Sequence, residues 1–138
     1  MAVPGKLLCD MGDLRNTSIE ARPLGYFNSA IRLTFDDTIT IADYGGRRVQ
    51  QFNADGDFKR EMKTGVSLPR DVDVLPTGDV IVLDTFLKRM LVMSPFDSRL
   101  IQSITAHAGG APFVKPVALA ASARRVFVLD QDAVHVYE

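Results

Sequence analysis

Hydrophobic residues along the chain are grouped into short runs, and one kind of run occurs three times. Ile39–Asp43, Val80–Asp84 and Val126–Asp130 are each largely apolar and end in an aspartate. These aspartates lie 41 and then 46 residues apart. Spacings of this size are typical of a repeated supersecondary unit.

Both faces of the repeated run are largely apolar, as expected for strands that are covered on two sides. A parallel α/β sheet also produces this pattern, but it needs helices between the strands, and the sequence offers few helical candidates. Turn residues separate the runs instead, and the links that join them are Phe35–Asp37, Asn53–Gly56, Pro76–Asp79, Ser94–Asp97 and Ser122–Arg124. Such links indicate antiparallel hairpins.

Each repeated unit is predicted to contain four antiparallel strands, a to d, as in a β-propeller blade. The predicted fold is all-β, with three blades per chain in a single segment of residues 1–138. Residues 29–63 form the first blade, 69–105 the second, and 116–138 a third that lacks strand d. Residues 6–12 resemble an isolated strand d, so the predicted strand order is d-abcd-abcd-abc.

One alternative for the second unit is a helix over Thr85 to Met93, because these residues are good helix formers. The corresponding stretch of the first unit contains Tyr44, Gly45 and Gly46. Two adjacent glycines disfavour a helix, so the strand assignment is preferred.

Several of these segments resemble NHL repeats. The resemblance rests on Pro69 with Val72, on Val80–Asp84, on Lys88–Met90, and most specifically on residues 41–58. It implies blades of about 40 residues, commonly in a ring of six, that serve as a platform for protein or RNA partners. Similar domains occur in tripartite-motif ubiquitin ligases, although the chain lacks the many Cys and His ligands of a RING or B-box.

The repeated aspartates are predicted to be a structural latch within each blade. Asp43 is followed five residues later by Arg48, and Asp84 is followed by Arg89 at the same spacing. This spacing places a carboxylate and a guanidinium at the ends of neighbouring strands b and c. The third unit lacks the arginine, so Asp130 is expected to be solvated or paired with His135.

Three blades cannot close a propeller ring. We therefore expect either a fragment of a longer propeller or a homodimer. In the dimer, two chains would form a six-bladed ring head to tail, and each N-terminal strand would complete the partner's third blade.

Composition narrows these options only slightly. Sixteen basic and seventeen acidic residues leave a net charge of −1, so attraction to nucleic acid would require local segregation of charge. No stretch approaches the roughly 20 apolar residues of a membrane span. Because no secretion leader is evident at the N-terminus, a cytoplasmic location is expected. One cysteine and two histidines favour neither a disulfide nor a metal or other cofactor.

The residues in the links between strands predict that the two sides of the propeller differ in charge. We call the side with the d-to-a and b-to-c links the b–c face, and its candidate binding residues are Arg22, Tyr26, Tyr44, Arg47, Arg70, Phe86, Lys88, Phe113 and Lys115. The opposite side, the a–b face, carries aspartates at residues 36, 37, 55, 57, 79 and 97. The alternative is that the candidates on the b–c face are solvated loop residues, with some aromatics in the core.

A non-catalytic platform for a protein partner, as in a substrate-recognition module of a ubiquitin-ligase-like protein, is the favoured function. RNA binding through the basic, aromatic b–c face is the first alternative. A propeller hydrolase or lactonase is the second, and it would need convergent metal ligands at the pore that the sequence does not display.

Overall fold

In the computed structural model, the described residues are 28–34, 36–63, 65–105, 110, 112–131 and 133–138. They contain eleven strands: β1 (Asn28–Leu33), β2 (Ile39–Asp43), β3 (Arg48–Phe52), β4 (Phe58–Met62), β5 (Pro69–Val74), β6 (Val80–Asp84), β7 (Arg89–Met93), β8 (Leu100–Ile104), β9 (Pro116–Ala121), β10 (Val126–Asp130) and β11 (Ala133–Tyr137). No helix in this part of the chain is long and apolar enough to cross a membrane.

The described strands form three antiparallel sheets in which each strand pairs with its neighbours in sequence. Blade 1 contains β1–β4, blade 2 contains β5–β8, and blade 3 contains β9–β11. The predicted all-β fold of propeller blades is therefore confirmed. The alternative helix is wrong: residues 85–88 form a turn and Arg89–Met93 forms β7. The strand expected at residues 6–12 lies outside the described residues.

Blade 2 lies between the other two blades, which explains why β6 is apolar on both faces. Val80 and Val82 pack in one core with Ala42 and Met62 of blade 1. The alternate residues of β6, which point to the other face, pack in a second core with β9 and β10 of blade 3. Every residue of β6 is consequently buried.

Polar side chains connect the first strands of neighbouring blades. Asp71 Oδ2 accepts a hydrogen bond from the Leu119 amide at 2.9 Å, and Asp73 Oδ2 accepts one from the Ala121 amide at 2.7 Å. Arg32 of blade 1 places its guanidinium 3.2 Å from Asp71 Oδ1. Asp71 therefore contacts both neighbouring blades, and its side chain is largely buried.

We predict that Asp71→Ala lowers the free energy of unfolding by about 2 kcal/mol, because it leaves the Leu119 amide without its acceptor and Arg32 without its counter-charge. Asp71→Asn should cost less, since the amide oxygen can still accept from Leu119. Urea unfolding of both variants measures the difference. Equal stabilities of Asp71→Ala and the wild type would contradict this role.

Candidate protein-binding face

Asp43 and Asp84 each hold the turn that follows their strand. Asp43 Oδ1 accepts a hydrogen bond from the Gly46 amide at 2.9 Å, and Asp84 Oδ1 accepts one from the Leu87 amide at 3.2 Å. Both donors lie three residues after the aspartate, as in a turn that is closed by a side-chain carboxylate. The two b-to-c turns are therefore held in the same way.

Asp84 and Asp130 also hold the link that enters strand a. Asp84 accepts hydrogen bonds from the Ser67 and Leu68 amides at 2.8 and 3.3 Å. Asp130 accepts equivalent bonds from the Val114 and Lys115 amides at 2.9 and 2.6 Å. Each pair of donors comes immediately before the first residue of strand a, so the aspartate fixes where the chain enters its blade.

The expected ion pairs differ among the three blades. Arg48 donates through Nε to Asp43 Oδ2 at 2.9 Å, and both side chains are buried. Arg89 is 3.8 Å from Asp84 and also donates to the backbone carbonyl of Gly65. His135 Nε2 lies 3.6 Å from the buried Asp130. The structure thus brings all three pairs together, most closely in blade 1.

The short turn in blade 1 depends on a glycine that its counterpart in blade 2 does not need. A Cβ atom at Gly46 would overlap the Asp43 carboxylate, with its Cγ only 2.7 Å away. Leu87 occupies the equivalent position in blade 2, where the Asp84 carboxylate also accepts from Ser67.

The exposed candidates surround these aspartates on the b–c face. Arg47 and Lys88 are exposed at the last position of their turns, with left-handed φ angles of 56° and 50°. Phe86 is 66% exposed in the turn of blade 2, and Arg70 and Lys115 are exposed at the start of strand a or just before it.

One candidate lies in the core, and another is only partly accessible in its turn. Phe113 is only 2% exposed and packs in the core between blades 2 and 3, where its ring centroid lies 6.5 Å from that of Tyr137. Its assignment to the binding face is therefore wrong, because the link before strand a turns inward at this residue. Tyr44 is half-buried, and Arg22 and Tyr26 lie outside the described residues.

Sequence reasoning missed two exposed apolar residues on the b–c face. Leu87 and Val114 are exposed beside Phe86 and Lys115, respectively. An apolar residue within a predicted turn was the available signal, since such a position has no neighbouring strand to cover it.

The a–b face carries the expected aspartates, and the carboxylates of Asp36, Asp79 and Asp97 accept hydrogen bonds within their own turns. Hydrogen bonds from the Thr34 hydroxyl and the Thr38 amide lower the pKa of Asp36. A bond from the Arg99 amide lowers the pKa of Asp97 in the same manner. These aspartates stabilise turns, and sequence reasoning overlooked two cations on this side, Lys59 and Arg60.

Burial by itself raises the pKa of Asp130, but other effects outweigh it. Hydrogen bonds from the Val114 and Lys115 amides, together with the nearby His135, leave the pKa of Asp130 below its ordinary value. An aspartate whose pKa is lowered by folding stabilises the protein above the pKa of the unfolded chain, about 3.9, and loses that effect as the pH falls.

We therefore predict that Asp130→Asn is less stable than the wild type at neutral pH. The difference in unfolding free energy should shrink from its value at pH 5 as the pH falls below about 4 and the folded Asp130 becomes protonated. Urea unfolding at a series of pH values measures this difference. The assignment would be contradicted if the difference at pH 3, about one unit below the pKa of an unfolded aspartate, were the same as at pH 5.

Comparisons with known proteins identify the fold. No protein-family model and no curated protein matches the sequence. Among solved structures, hydrazine synthase of Kuenenia stuttgartiensis superimposes with a TM-score of 0.70 at 18% identity, covering 92% of this chain and 36% of that one. A putative gluconolactonase gives 0.67 at 20% identity, covering 88% and 47%.

The WD40 β-propeller domain of Doa1 is also similar, with a TM-score of 0.61 at 19% identity, covering 83% of this chain and 38% of that one. The chain thus spans less than half the length of each of these structures. At such low identity the likeness concerns the fold alone. Together with the three antiparallel sheets, it shows that this chain has the architecture of β-propeller blades.

Proposed function

We propose that this chain is part of an NHL-type propeller whose b–c face binds a protein partner without catalysing a reaction. The observation that carries the proposal is the b-to-c turn of blade 2, which exposes Phe86, Leu87 and Lys88 side by side. Hydrogen bonding of the Leu87 amide to Asp84 holds this turn in place. Aromatic residues are enriched in protein interfaces relative to the rest of the surface.

The charges around this turn indicate an acidic partner. Arg47, Arg70 and Lys115 are exposed on the same face as Lys88, so the candidate surface is basic even though the whole chain has a net charge of −1. Complementary charge favours association with an acidic surface and speeds the encounter. Phe86 and Leu87 would supply the apolar contact at the centre.

The NHL assignment is supported by the residues that define the repeat pattern and by what those residues do. The Asp43 and Arg48 side chains of the pattern are paired and buried in blade 1. In NHL-containing ubiquitin ligases such a propeller recognises substrates, and we propose a recognition role of the same kind in the cytoplasm.

RNA binding is the second candidate, because the same four cations and Phe86 could hold phosphates and stack a base. The third candidate, a propeller hydrolase, has a counterpart in the putative gluconolactonase, whose likeness to this chain concerns the fold alone. The protein-binding role is preferred to both because it requires only the exposed surface described above.

We also propose that two chains form one ring, because blades 1 and 3 expose the two halves of a blade junction. Ile31 and Leu33 of blade 1 are 59% and 67% exposed. Their counterparts in blade 2, by alignment on the repeated aspartate, are Val72 and Val74, which pack in the core that joins blades 1 and 2.

Blade 3 exposes the other half of this blade junction. Leu129, Val134 and Val136 are all at least 40% exposed on the face that points away from blade 2. Leu83, the counterpart of Leu129, is fully buried between blades 2 and 3. Ala118 and Ala120 lie on the same exposed face, so small side chains would meet the large Ile31 and Leu33 of a second copy.

The left-handed turn positions allow a test of the binding face that preserves the fold. Glycine relieves a left-handed φ angle, so Arg47→Gly and Lys88→Gly should change the unfolding free energy by only about 0 to +1 kcal/mol each while removing both charges. The double variant should lose a protein partner that wild type captures from a cell lysate, as measured by quantitative pull-down. Arg124→Gly with Arg125→Gly, which removes two exposed charges from the a–b face, should retain it.

Filter binding to single-stranded RNA over a salt series separates the candidates. Binding that weakens steeply with salt and disappears in the Arg47→Gly and Lys88→Gly double variant would support RNA and contradict a protein-only role. A partner that the double variant retains would show that the b–c face is not the site.

If two chains form one ring, sedimentation equilibrium should measure the mass of two chains. Leu33→Glu should convert this dimer to a folded monomer, because a charge at the junction would be buried without a partner. Ile101→Glu, a matched change of an exposed residue on β8, should leave the dimer intact. A monomeric wild type at high concentration would exclude the two-chain ring.

A further inference from the structure

A groove of about 710 Å³ opens on the a–b face, opposite the proposed binding face. Lys59 and Arg60 of β4 line one side, and the turns of blade 2 that contain Pro76 and Phe96 line the other. The volume falls in the range of about 300–1,000 Å³ that is usual for sites of small ligands. It suits a short chain segment better than a folded domain.

A row of polar side chains leads into this groove from the interior. Thr40, Gln51 and Arg60 lie directly opposite one another on β2, β3 and β4. Gln51 Nε2 donates to Thr40 Oγ1 at 2.9 Å, and Arg60 donates to Gln51 Oε1 at 2.6 Å. Gln51 therefore orients the guanidinium, and Thr40 in turn orients Gln51.

This polar row departs from the repeat. The equivalent positions on β6 and β7 of blade 2 are Ile81 and Val92, which are apolar. Thr40 and Gln51 are buried, and a buried polar pair gives less stability than apolar packing unless all its hydrogen bonds are made. A departure of this kind from a regular pattern is a common mark of a functional position.

The Arg60 guanidinium has a neutral partner in Gln51. Within the described residues, no carboxylate lies within ion-pair distance of Arg60. Lys59 differs, because it donates to Thr38 Oγ1 at 2.9 Å and acts electrostatically on Asp36. Asp73, on the groove lining, accepts from the Ala121 amide of blade 3. Among the described residues, Arg60 is therefore a groove cation whose side-chain partner is neutral.

The other side of the groove is apolar and accessible. Phe96 is 91% exposed at the turn between β7 and β8, and Pro95 and Pro76 lie beside it in the lining. The Phe96 amide donates to Ser94 Oγ at 3.2 Å, which holds the turn that carries the ring. An exposed aromatic ring on a fixed turn can bind an apolar side chain with little loss of entropy.

We propose that this groove binds an extended peptide segment that carries a carboxylate side chain next to an apolar one. Arg60 would bind the carboxylate, and Phe96 would contact the apolar side chain. Two cations and two carboxylates line the groove, so a single negative charge fits its electrostatics better than a doubly charged phosphate. The site is independent of the proposed b–c face, which lies on the other side of the blades.

NMR titration of the full chain with two capped peptides, acetyl-Leu-Glu-Phe-amide and acetyl-Leu-Gln-Phe-amide, tests the proposal. The glutamate peptide should shift the backbone amide signals of Thr77, Gly78 and Phe96 with a Kd of about 1 mM. The glutamine peptide should bind about tenfold more weakly, since it lacks the charge that strengthens a hydrogen bond to arginine. Equal affinity for both peptides, or no shift of these signals, would overturn the proposal.

Two variants locate the site. Arg60→Met should weaken binding of the glutamate peptide about tenfold and abolish the preference over glutamine. Phe96→Ala, at a residue too exposed to affect folding, should weaken both peptides equally by about threefold. Arg70→Met on the b–c face should bind both peptides like wild type. The two faces are tested with different variants. If the groove does not bind the peptides, the proposal for the b–c face still stands, and if the b–c face binds no partner, the proposal for the groove still stands.

An acetyl-Leu-phosphoserine-Phe-amide control distinguishes the two anions. Tighter binding of the phosphopeptide than of the glutamate peptide would overturn the assignment of a carboxylate ligand. Peptide-induced shifts confined to the amides of Arg70, Lys88 and Lys115 would overturn the location, because those residues lie on the b–c face.

Discussion

The buried aspartate at the end of each second strand is the constraint on which the rest of the structure depends. A chain that leaves one antiparallel sheet and enters the next exposes backbone amides that no strand satisfies. In blades 2 and 3 the aspartate accepts hydrogen bonds from the two amides that precede the next strand a. In blades 1 and 2 it also accepts a bond from the following turn. In blade 2 a single carboxylate, that of Asp84, thereby holds both backbone segments at its end of the blade.

The same hydrogen bonds determine what the b–c face can do. The buried aspartates hold the turns, so the exposed residues of the turns keep a fixed geometry. Arg47 and Lys88 remain in a left-handed conformation that a free loop would avoid. Phe86 and Leu87 have no strand to cover them and stay exposed. The scaffold is thus regular, whereas the side chains available for recognition differ from blade to blade.

Junctions between blades combine apolar packing with a few polar contacts, and their differences define the other surfaces. Blades 1 and 2 share an apolar core and the Arg32–Asp71 pair. Beside them lies a groove that is lined by Gln51 and Arg60 of blade 1 and by turns of blade 2. Blade 3 ends in an apolar face with small alanines, and blade 1 begins with large exposed side chains. The described blades therefore leave a groove at one junction and exposed apolar side chains on the outer faces of blades 1 and 3.

The sequence alone predicted the repeat and the strand order within each described blade, because hydrophobic alternation and turn residues are local signals. It also predicted the spacing of Asp43 and Asp84 from their arginines. Only the tertiary structure showed that Phe113 points into the core, that the aspartates bind backbone amides, and that Arg60 lies in a groove. These features depend on contacts between strands far apart in sequence, such as Asp130 with Val114 or Asp71 with Leu119. A periodic pattern predicts which face of a strand is apolar. It does not predict which backbone group or which neighbouring blade contacts that face.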